Sequence, residues 1–390
     1  MQLIPEIRDL EPELVAWRRD LHAHPELAYR EHRTASLVAE RLRGWGIDVD
    51  EGLAETGVVG TLSRGDGPTI GLRADMDALA MQETNTFAHR SQHPGRMHAC
   101  GHDGHTTMLL GAARYLAEHG DFSGTVRFIF QPAEEAAGGA KRMLDDGLFS
   151  RFPVDAVFGM HNWPGLAAGQ FAARAGPMMA SLDTFDIRVA GHGAHGAAPQ
   201  DGVDPVAAAA QVVTAVQTIV SRNVDPLQSA VISITRIHGG DADNVIPPEV
   251  RLGGGIRSFD PAVRQLLCRR LAEVVQGVCA SLGASSTVSF TAGYPAVINA
   301  AESTTLALET AAAIVGEANV NNATDPVMVS EDFAYLLEAT TGSFVFIGNG
   351  AGEGGCMIHN PGYDFNDGIL TLGATYWARL AQRFLRDRSG

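Results

Sequence analysis

One stretch of ten residues, Met97-His98-Ala99-Cys100-Gly101-His102-Asp103-Gly104-His105-Thr106, constrains this 390-residue chain more than any other. It holds a thiol, three imidazoles and a carboxylate, its two glycines permit a tight turn, and an apolar helical pattern from Thr107 to His119 follows. Cys100 and His102 stand two apart, so in an extended or looping backbone both side chains project the same way and can share one ion. The plainer alternative is a polar loop that caps a helix, and the rest of the chain has to decide between the two.

The length exceeds what one growing hydrophobic core usually serves, so a main domain with a smaller one is expected. A formal charge of -16 without any cluster of Lys and Arg argues against nucleic acid and anionic membranes as partners. No stretch approaches about 18 uninterrupted apolar residues, and Met1 to Asp20 carries no apolar run, so a cytosolic (cytoplasmic) protein is expected. Four cysteines, at 100, 268, 279 and 356, are too sparse for a disulfide framework. Cys100 is then available as a thiolate ligand, while Cys268 and Cys279 read as small core residues.

Residues 10–44 read as helix interrupted at His24-Pro25, with His22 and His24 read as packing or surface histidines. Val58–Leu62 and Ile70–Ala74 read as neighbouring strands joined by the turn Arg64-Gly65-Asp66-Gly67-Pro68, and Asp75 and Asp77 follow the second. In an open α/β sheet the C-terminal end of a strand is where ligands bind, which sets a supporting role for these acids against simple helix capping. The buried-strand pattern of Thr125–Phe130 leads to Glu134 and Glu135. Two adjacent carboxylates repel unless a cation or a proton lies between them, which suggests one ligand and one acid/base group; a solvated helix start is the alternative. A strand over 154–160 ends at His161. Three strands thus deliver carboxylate or metal-capable side chains at corresponding ends, and coincidence becomes the weaker account.

From Asp183 the order changes to strand, helix, strand, strand, helix, strand, the βαββαβ pattern of the split βαβ sandwich. We therefore expect an inserted ferredoxin-like domain over 181–292, and a catalytic domain of helices around a mixed sheet over 1–180 and 293–390. The small-residue helices of the insert offer a dimer surface, although core packing is their commoner use. After the insert come a helix over 303–316, Ser330 as the N-cap of another, a strand over 344–347 and a last helix over 368–386. A glycine-rich loop between Gly348 and Asp367 carries Cys356 and His359.

Together Cys100, His102, Glu135, His161 and His359 exceed what one tetrahedral ion needs, so two divalent ions per subunit fit better. Mixed N, S and O donors suit zinc, cobalt or nickel, with manganese disfavoured by the thiolate but open on grounds of availability. Glu134 is then the general base.

The chain resembles the metal-dependent aminoacylase and carboxypeptidase family, in particular its hippurate hydrolase and N-acyl-amino-acid amidohydrolase branch, which includes plant indole-acetyl-amino-acid hydrolases. The resemblance rests on Arg73 to Leu79, Met97 to Thr106, Gln131-Pro132-Ala133-Glu134-Glu135, Gly159 to Pro164, Asn244-Val245-Ile246-Pro247 and His359-Asn360-Pro361, and it spans nearly the whole chain. It implies a dinuclear site on the five ligands above with Asp75, Asp77 and Asp103 behind them, and Glu134 as base. It also implies that the insert is a lid that dimerises, with a tetramer as the larger assembly. His195 of the lid would polarise the scissile carbonyl, from its own chain or the partner's, and Asn244 and Arg257 would hold the substrate carboxylate. The expected activity is cleavage of an N-acyl amino acid to a carboxylic acid and a free amino acid. A dipeptidase or carboxypeptidase on the same site is the alternative, and a metal-binding protein without catalysis is disfavoured because Glu134 is kept beside Glu135. Ala80 where the family has proline, Gly253-Gly254-Gly255 before Arg257, and Cys356 depart from the family pattern.

Overall fold

The computed structural model describes residues 1–350 and 356–388, and the chain forms two compact units. Unit 1 takes Met1–Gly176, Ile298–Asp325 and Asp332–Gly390, whereas unit 2 takes Pro177–Val297 and the short segment Pro326–Glu331. That segment belongs to unit 2 because Val327 exchanges backbone hydrogen bonds with Met178 and Ala180, a pairing that leaves no periodic trace in the sequence.

In chain order, unit 1 begins with helices α1 (Glu11–Ala23) and α2 (His32–Gly44), strands β1 (Asp48–Leu53), β2 (Gly57–Arg64) and β3 (Thr69–Asp75), helix α3 (His102–His119), and strands β4 (Gly124–Gln131) and β5 (Ala156–Pro164). Unit 2 follows with β6 (Ser181–Ala190), β7 (Ala194–His195), α4 (Pro205–Asn223), β8 (Ala230–His238), β9 (Val245–Ile246), β10 (Glu249–Ser258), α5 (Pro261–Ser281) and β11 (Ser285–Ala292). Unit 1 then closes with α6 (Ala301–Val315), β12 (Gly342–Gly350) and α7 (Leu370–Asp387).

The large sheet runs β1-β2-β4-β3-β5-β12, with the two-residue strands Phe171–Ala172 and Val320–Asn321 extending its far edge. β4, β3, β5 and β12 are mutually parallel, so their C-terminal ends share one edge of the sheet. Their near-continuous apolar runs, such as Val126, Phe128, Ile129 and Phe130 on β4, are buried, as strands covered on both faces require.

β2 and β3 are not neighbours, contrary to the expectation from sequence: β4 lies between them, antiparallel to β2 and parallel to β3. The linking turn satisfies its polar groups on the start of β4 instead of closing a hairpin. Thr125 N–H donates to Pro68 O at 2.9 Å and the Ser123 hydroxyl to Asp66 O at 2.7 Å.

Unit 2 is a four-stranded antiparallel sheet in the order β8-β10-β6-β11, the ferredoxin-like arrangement. β6 alternates buried Phe185, Ile187 and Val189 with exposed Thr184, Asp186 and Arg188, the pattern of a sheet covered on one face. The covered face packs on Val212, Val216 and Ile219 of α4 and Leu267, Leu271, Val275 and Cys279 of α5, with Cys268 at the margin. Within the glycine triplet, Gly254 has a packing reason, since a Cβ there would lie 1.9 Å from Ser233 O; one at Gly253 would meet the Arg236 guanidinium, and one at Gly255 would make ordinary contacts.

Ser330 is not a helix cap. The helix Phe333–Ala339 has Asp332 at its N-cap position, and the Ser330 hydroxyl accepts from Arg257 Nη1 at 3.0 Å. Among the described residues no helix is long and apolar enough to cross a membrane.

Candidate metal centre

Helix α3 begins at His102, five residues before the apolar pattern becomes visible in the sequence, because Gly101 turns the chain through a left-handed conformation with φ 97°. A side chain there is excluded twice over, since a Cβ would also lie 2.2 Å from Asn162 Oδ1. The turn places Cys100 and His102 at the shared C-terminal edge of the sheet. Asp75 and Asp77 arrive at the end of β3, Glu134 and Glu135 after β4, and His161 on β5. His359 follows β12, through a glycine-rich loop of which 351–355 lie outside the described residues. His359, itself left-handed at φ 61°, is tied in by its N–H, which donates to Ala99 O at 2.7 Å.

All five expected ligands converge. The ligand atoms of Cys100, His102 and His161 lie within 4.8 Å of one another, and so do those of Cys100, Glu135 and His359. Cys100 Sγ is 3.3 Å from His161 Nε2, and Glu135 Oε1 is 3.2 Å from His359 Nε2 and 3.7 Å from His102 Nε2. The outer nitrogens of two rings are committed elsewhere: His102 Nδ1 donates to Asp77 O at 2.8 Å, and His161 Nδ1 to Asn162 O at 2.7 Å. A neutral ring bound in this way turns an Nε2 lone pair inward, the orientation in which histidine binds a metal. His102 Nε2 is moreover buried without a hydrogen-bond partner and faces Glu135 Oε1. Buried acceptors facing one another are costly unless a cation lies between them, so this donor set fits a divalent metal.

The electrostatics point the same way. Burial, with Glu135, Glu134 and Asp75 close by, pushes the Cys100 thiol well up, so a thiolate here requires a cation. Burial and the neighbouring His105 hold His161 well below the usual imidazole range, in the neutral form that ligates. Burial would lower His102 too, but Asp75, Asp77 and Glu135 outweigh it and raise that ring to about 10, a measure of the negative charge collected here.

Asp75 and Asp77 stand directly behind the ligands. Asp77 accepts the N–H of Glu134 at 3.0 Å on Oδ1 and that of Glu135 at 3.1 Å on Oδ2, so one carboxylate orients both acids. Asp75 accepts from His105 Nδ1 at 2.6 Å and Arg73 Nη1 at 2.7 Å; despite burial, His102, His105 and Arg73 hold it well below the usual carboxylate range. Asp103 is different. It turns away from the ligands to accept from His22 Nδ1 at 2.8 Å, with Arg18 at 3.7 Å, and so anchors α3 to α1. His22 is accordingly a packed histidine. Burial would lower it, but hydrogen bonds to Asp103 and Glu83 outweigh that and raise it to about 9.

Glu134 is buried beside the ligands, its carboxylate within 4.8 Å of His102 and Glu135, and its Oε1 accepts the Asp332 N–H at 3.3 Å. Sequence reasoning missed Asp332 as a buried group: it accepts from Gln131 Nε2 at 2.8 Å, Arg73 Nη2 at 3.1 Å and the Ala140 N–H at 2.9 Å. In sequence it stands where a helix start is expected after Ser330, and only the buried donors around it distinguish the two uses.

In unit 2, His195 and Asn244 meet and Arg257 does not join them. His195 is exposed on β7 opposite Val245, its Nδ1 accepts the Ala197 N–H at 3.0 Å, and Gly196 N–H donates to Asn244 O at 2.8 Å. A neutral ring that accepts at Nδ1 carries its proton on Nε2, which is therefore a donor. Arg257 lies near the far end of β10, eight residues from Glu249 and so about 26 Å along the strand. Its Nη1 donates to Met328 O at 2.6 Å.

Residues 71–383 match the family model described as peptidase family M20/M25/M40. The chain is 42% identical over 387 residues to a hippurate hydrolase of Campylobacter jejuni, covering 99% of this chain and 100% of that one. It is 40% identical over 388 residues to thermostable carboxypeptidase 1 of Saccharolobus solfataricus, covering 97% of each. Among solved structures, a dinuclear metal-binding peptidase of the M20 family from Bacillus subtilis superposes with a TM-score of 0.84 at 35% identity, over 97% of this chain and 99% of that one.

Proposed function

The chain belongs to peptidase family M20/M25/M40 and is a metal-dependent amidohydrolase, and on that premise we propose that it cleaves N-acyl amino acids to a carboxylic acid and a free amino acid. The observation that carries the reading is the pair of adjacent glutamates with separate surroundings: Glu135 faces His102 and His359, while Glu134 stands beside them with its carboxylate toward the Asp332 amide. Cys100, His102, Glu135, His161 and His359 would hold two divalent ions, of zinc, cobalt, nickel or manganese. Such ions supply Lewis acidity, which polarises an amide carbonyl and brings the pKa of water toward neutrality.

Glu134 Oε accepts the proton of the attacking water and returns it to the leaving nitrogen, the step without which an amine is a poor leaving group. Asp77, by holding the Glu134 and Glu135 amides on its two oxygens, keeps base and ligand in fixed relation. His195 Nε2 donates to the carbonyl oxygen as negative charge develops there. Asn244 and Arg257 bind the substrate carboxylate. Arg257 lies about 26 Å along β10 from Glu249, the strand end next to which Asn244 and the His195 turn pair, and that length exceeds a small substrate, which supports a site that draws His195 and Asn244 from one copy and Arg257 from another. A homodimer through unit 2 follows from this reading, and we propose that it acts in the cytoplasm.

The 40% identity to a carboxypeptidase favours a peptide substrate as the second reading. Assaying the metal-loaded protein on N-acetyl, N-benzoyl and indole-acetyl amino acids beside dipeptides decides: faster turnover of dipeptides than of every N-acyl amino acid would replace the first reading with the second.

A further inference from the structure

The turn that carries Glu134 is strained. Ala133 has φ 56° and ψ 40°, the left-handed region that a residue with a Cβ enters only when its surroundings hold it there. Directly after it the chain doubles back so tightly that a Cβ at Gly139 would lie 1.7 Å from Pro132 O. The direction in which Glu134 leaves the sheet depends on this one backbone conformation.

Ala133 N–H donates to Glu31 Oε1 at 2.9 Å. Glu31 is fully buried, about 100 residues away in sequence, at the start of α2. The same Oε1 accepts the N–H of Tyr29 at 3.1 Å, another left-handed residue with φ 59°, and Oε2 accepts the Thr56 hydroxyl at 2.6 Å. Two of the five non-glycine residues with positive φ among the described residues are therefore held by one oxygen. Among the described residues no Arg, Lys or His pairs with Glu31. A buried carboxylate bound only by neutral donors is an expensive way to fill space, and its charge is disfavoured enough that burial raises its carboxyl to about 7. A leucine would fill the volume at less cost. What a leucine lacks is an acceptor at Oε1.

We propose that Glu31 is a positioning residue of the hydrolytic reaction: its Oε1 holds Ala133 in the left-handed conformation and thereby aims Glu134 into the metal cluster. The inference rests on Glu134 as the base. Asp77 fixes the amides of Glu134 and Glu135, Asp332 that of Ala140, and Glu31 that of Ala133, so buried carboxylates restrain the turn at both ends. Of these acids, Glu31 reaches it from outside the sheet's C-terminal edge, through the segment before α2.

Two substitutions separate acceptor position from charge. Glu31→Gln removes the charge and leaves a carbonyl oxygen able to occupy the Oε1 position. Glu31→Asp keeps the charge and withdraws the oxygens by one methylene. For the metal-loaded protein acting on an N-acyl amino acid, Glu31→Gln is expected to stay within about 5-fold of wild-type kcat. Glu31→Asp is expected to lose about 10- to 100-fold, the scale at which a displacement near 1 Å is felt. KM should stay within about 2-fold in both, and metal content by elemental analysis and the circular-dichroism melt should show each variant folded and loaded. A merely structural role predicts losses that track metal content or melting temperature, and a role for the charge predicts the opposite order; either result overturns the proposal. If Glu31→Asp does not fold, Glu31→Ala with Glu31→Gln as its rescue gives the same comparison. Glu134→Gln assayed alongside keeps the two readings apart. Wild-type kcat in Glu134→Gln removes the base and this inference with it, whereas an inactive Glu134→Gln beside a fully active Glu31→Asp removes this inference alone.

Discussion

The cluster of candidate metal ligands and the His195 turn are organised in opposite ways. In the cluster nearly every functional atom has a buried partner that fixes it: Asp77 for His102, Glu134 and Glu135, Asn162 O for His161, Ala99 O for the His359 backbone. His195 is exposed, stands in a two-residue ladder with Val245 and Ile246, and is held by one hydrogen bond from Ala197. A buried site carries its desolvation cost in its own fold and is preorganised before substrate arrives. An exposed donor is oriented only as far as its tautomer, and the remaining order has to come from what docks against it.

The largest expected effect tests the first half of that contrast. Stripping divalent metal with a chelator should abolish turnover, and re-adding metal should restore it, because buried acceptors that face one another have no other way to form the site. Cys100→Ser should weaken metal binding, since serine is a poor ligand near neutral pH. Full activity in a metal-free protein would break the comparison at its base.

Within the cluster the adjacent glutamates should part company. Glu134→Gln is expected to retain metal and lose about two to four orders of magnitude in kcat, the usual worth of general acid/base catalysis. Glu135→Gln should lose metal as well, because its carboxylate faces His102 and His359. Metal analysis of the two purified variants reads the division directly, and the reverse pattern would exchange their roles.

His195→Ala should fold and load metal normally yet turn over roughly 10²- to 10³-fold more slowly, the conversion of about 3–4 kcal/mol for a lost oxyanion donor. If the donor comes from a second copy, mixing inactive His195→Ala with inactive Glu134→Gln under subunit exchange should restore activity. A mixed dimer has one site with both groups intact. No recovery after verified exchange would return His195 to its own chain and remove the contrast between a self-sufficient cluster and a borrowed donor.

The same contrast explains what the sequence disclosed. The convergence of Cys100, His102, Glu135 and His161 was legible because they stand at or near strand ends and one helix start along a single sheet edge, and the inserted unit was legible from its βαββαβ order of elements. Groups that act through the backbone were not. Glu31 and Asp332 carry no motif of their own, and what they hold is an amide of another segment. The place of β4 between β2 and β3 was hidden for a related reason: a glycine-rich five-residue link suits a hairpin as well as a crossing over a third strand, and the choice is made by Ser123 and Thr125, far along the chain. Asp103, the residue immediately after His102 at the start of α3, faces away because the helix turns it toward Arg18 and His22.

The smallest effect sharpens the comparison from unit 2. Helix α4 is capped by Asp204, whose Oδ1 accepts the N–H of Val206 at 2.8 Å and of Ala207 at 3.2 Å, with Pro205 at the first helical position. Both donors would otherwise have no partner within the helix, and such a cap is worth about 1 kcal/mol. The helix covers the sheet through Ala208, Ala209, Val212, Val216 and Ile219, so Asp204→Ala acts on unit 2 through its own core. Its melting transition should fall by roughly 3–6 °C, while metal content and kcat measured well below that transition stay at wild-type values. A cluster whose ligands are fixed by buried partners within unit 1 does not need the α4 cap. Loss of metal in Asp204→Ala in proportion to the lowered melt would mean that the cluster draws its order from unit 2 after all, and the distinction between a self-held site and an exposed donor would no longer stand.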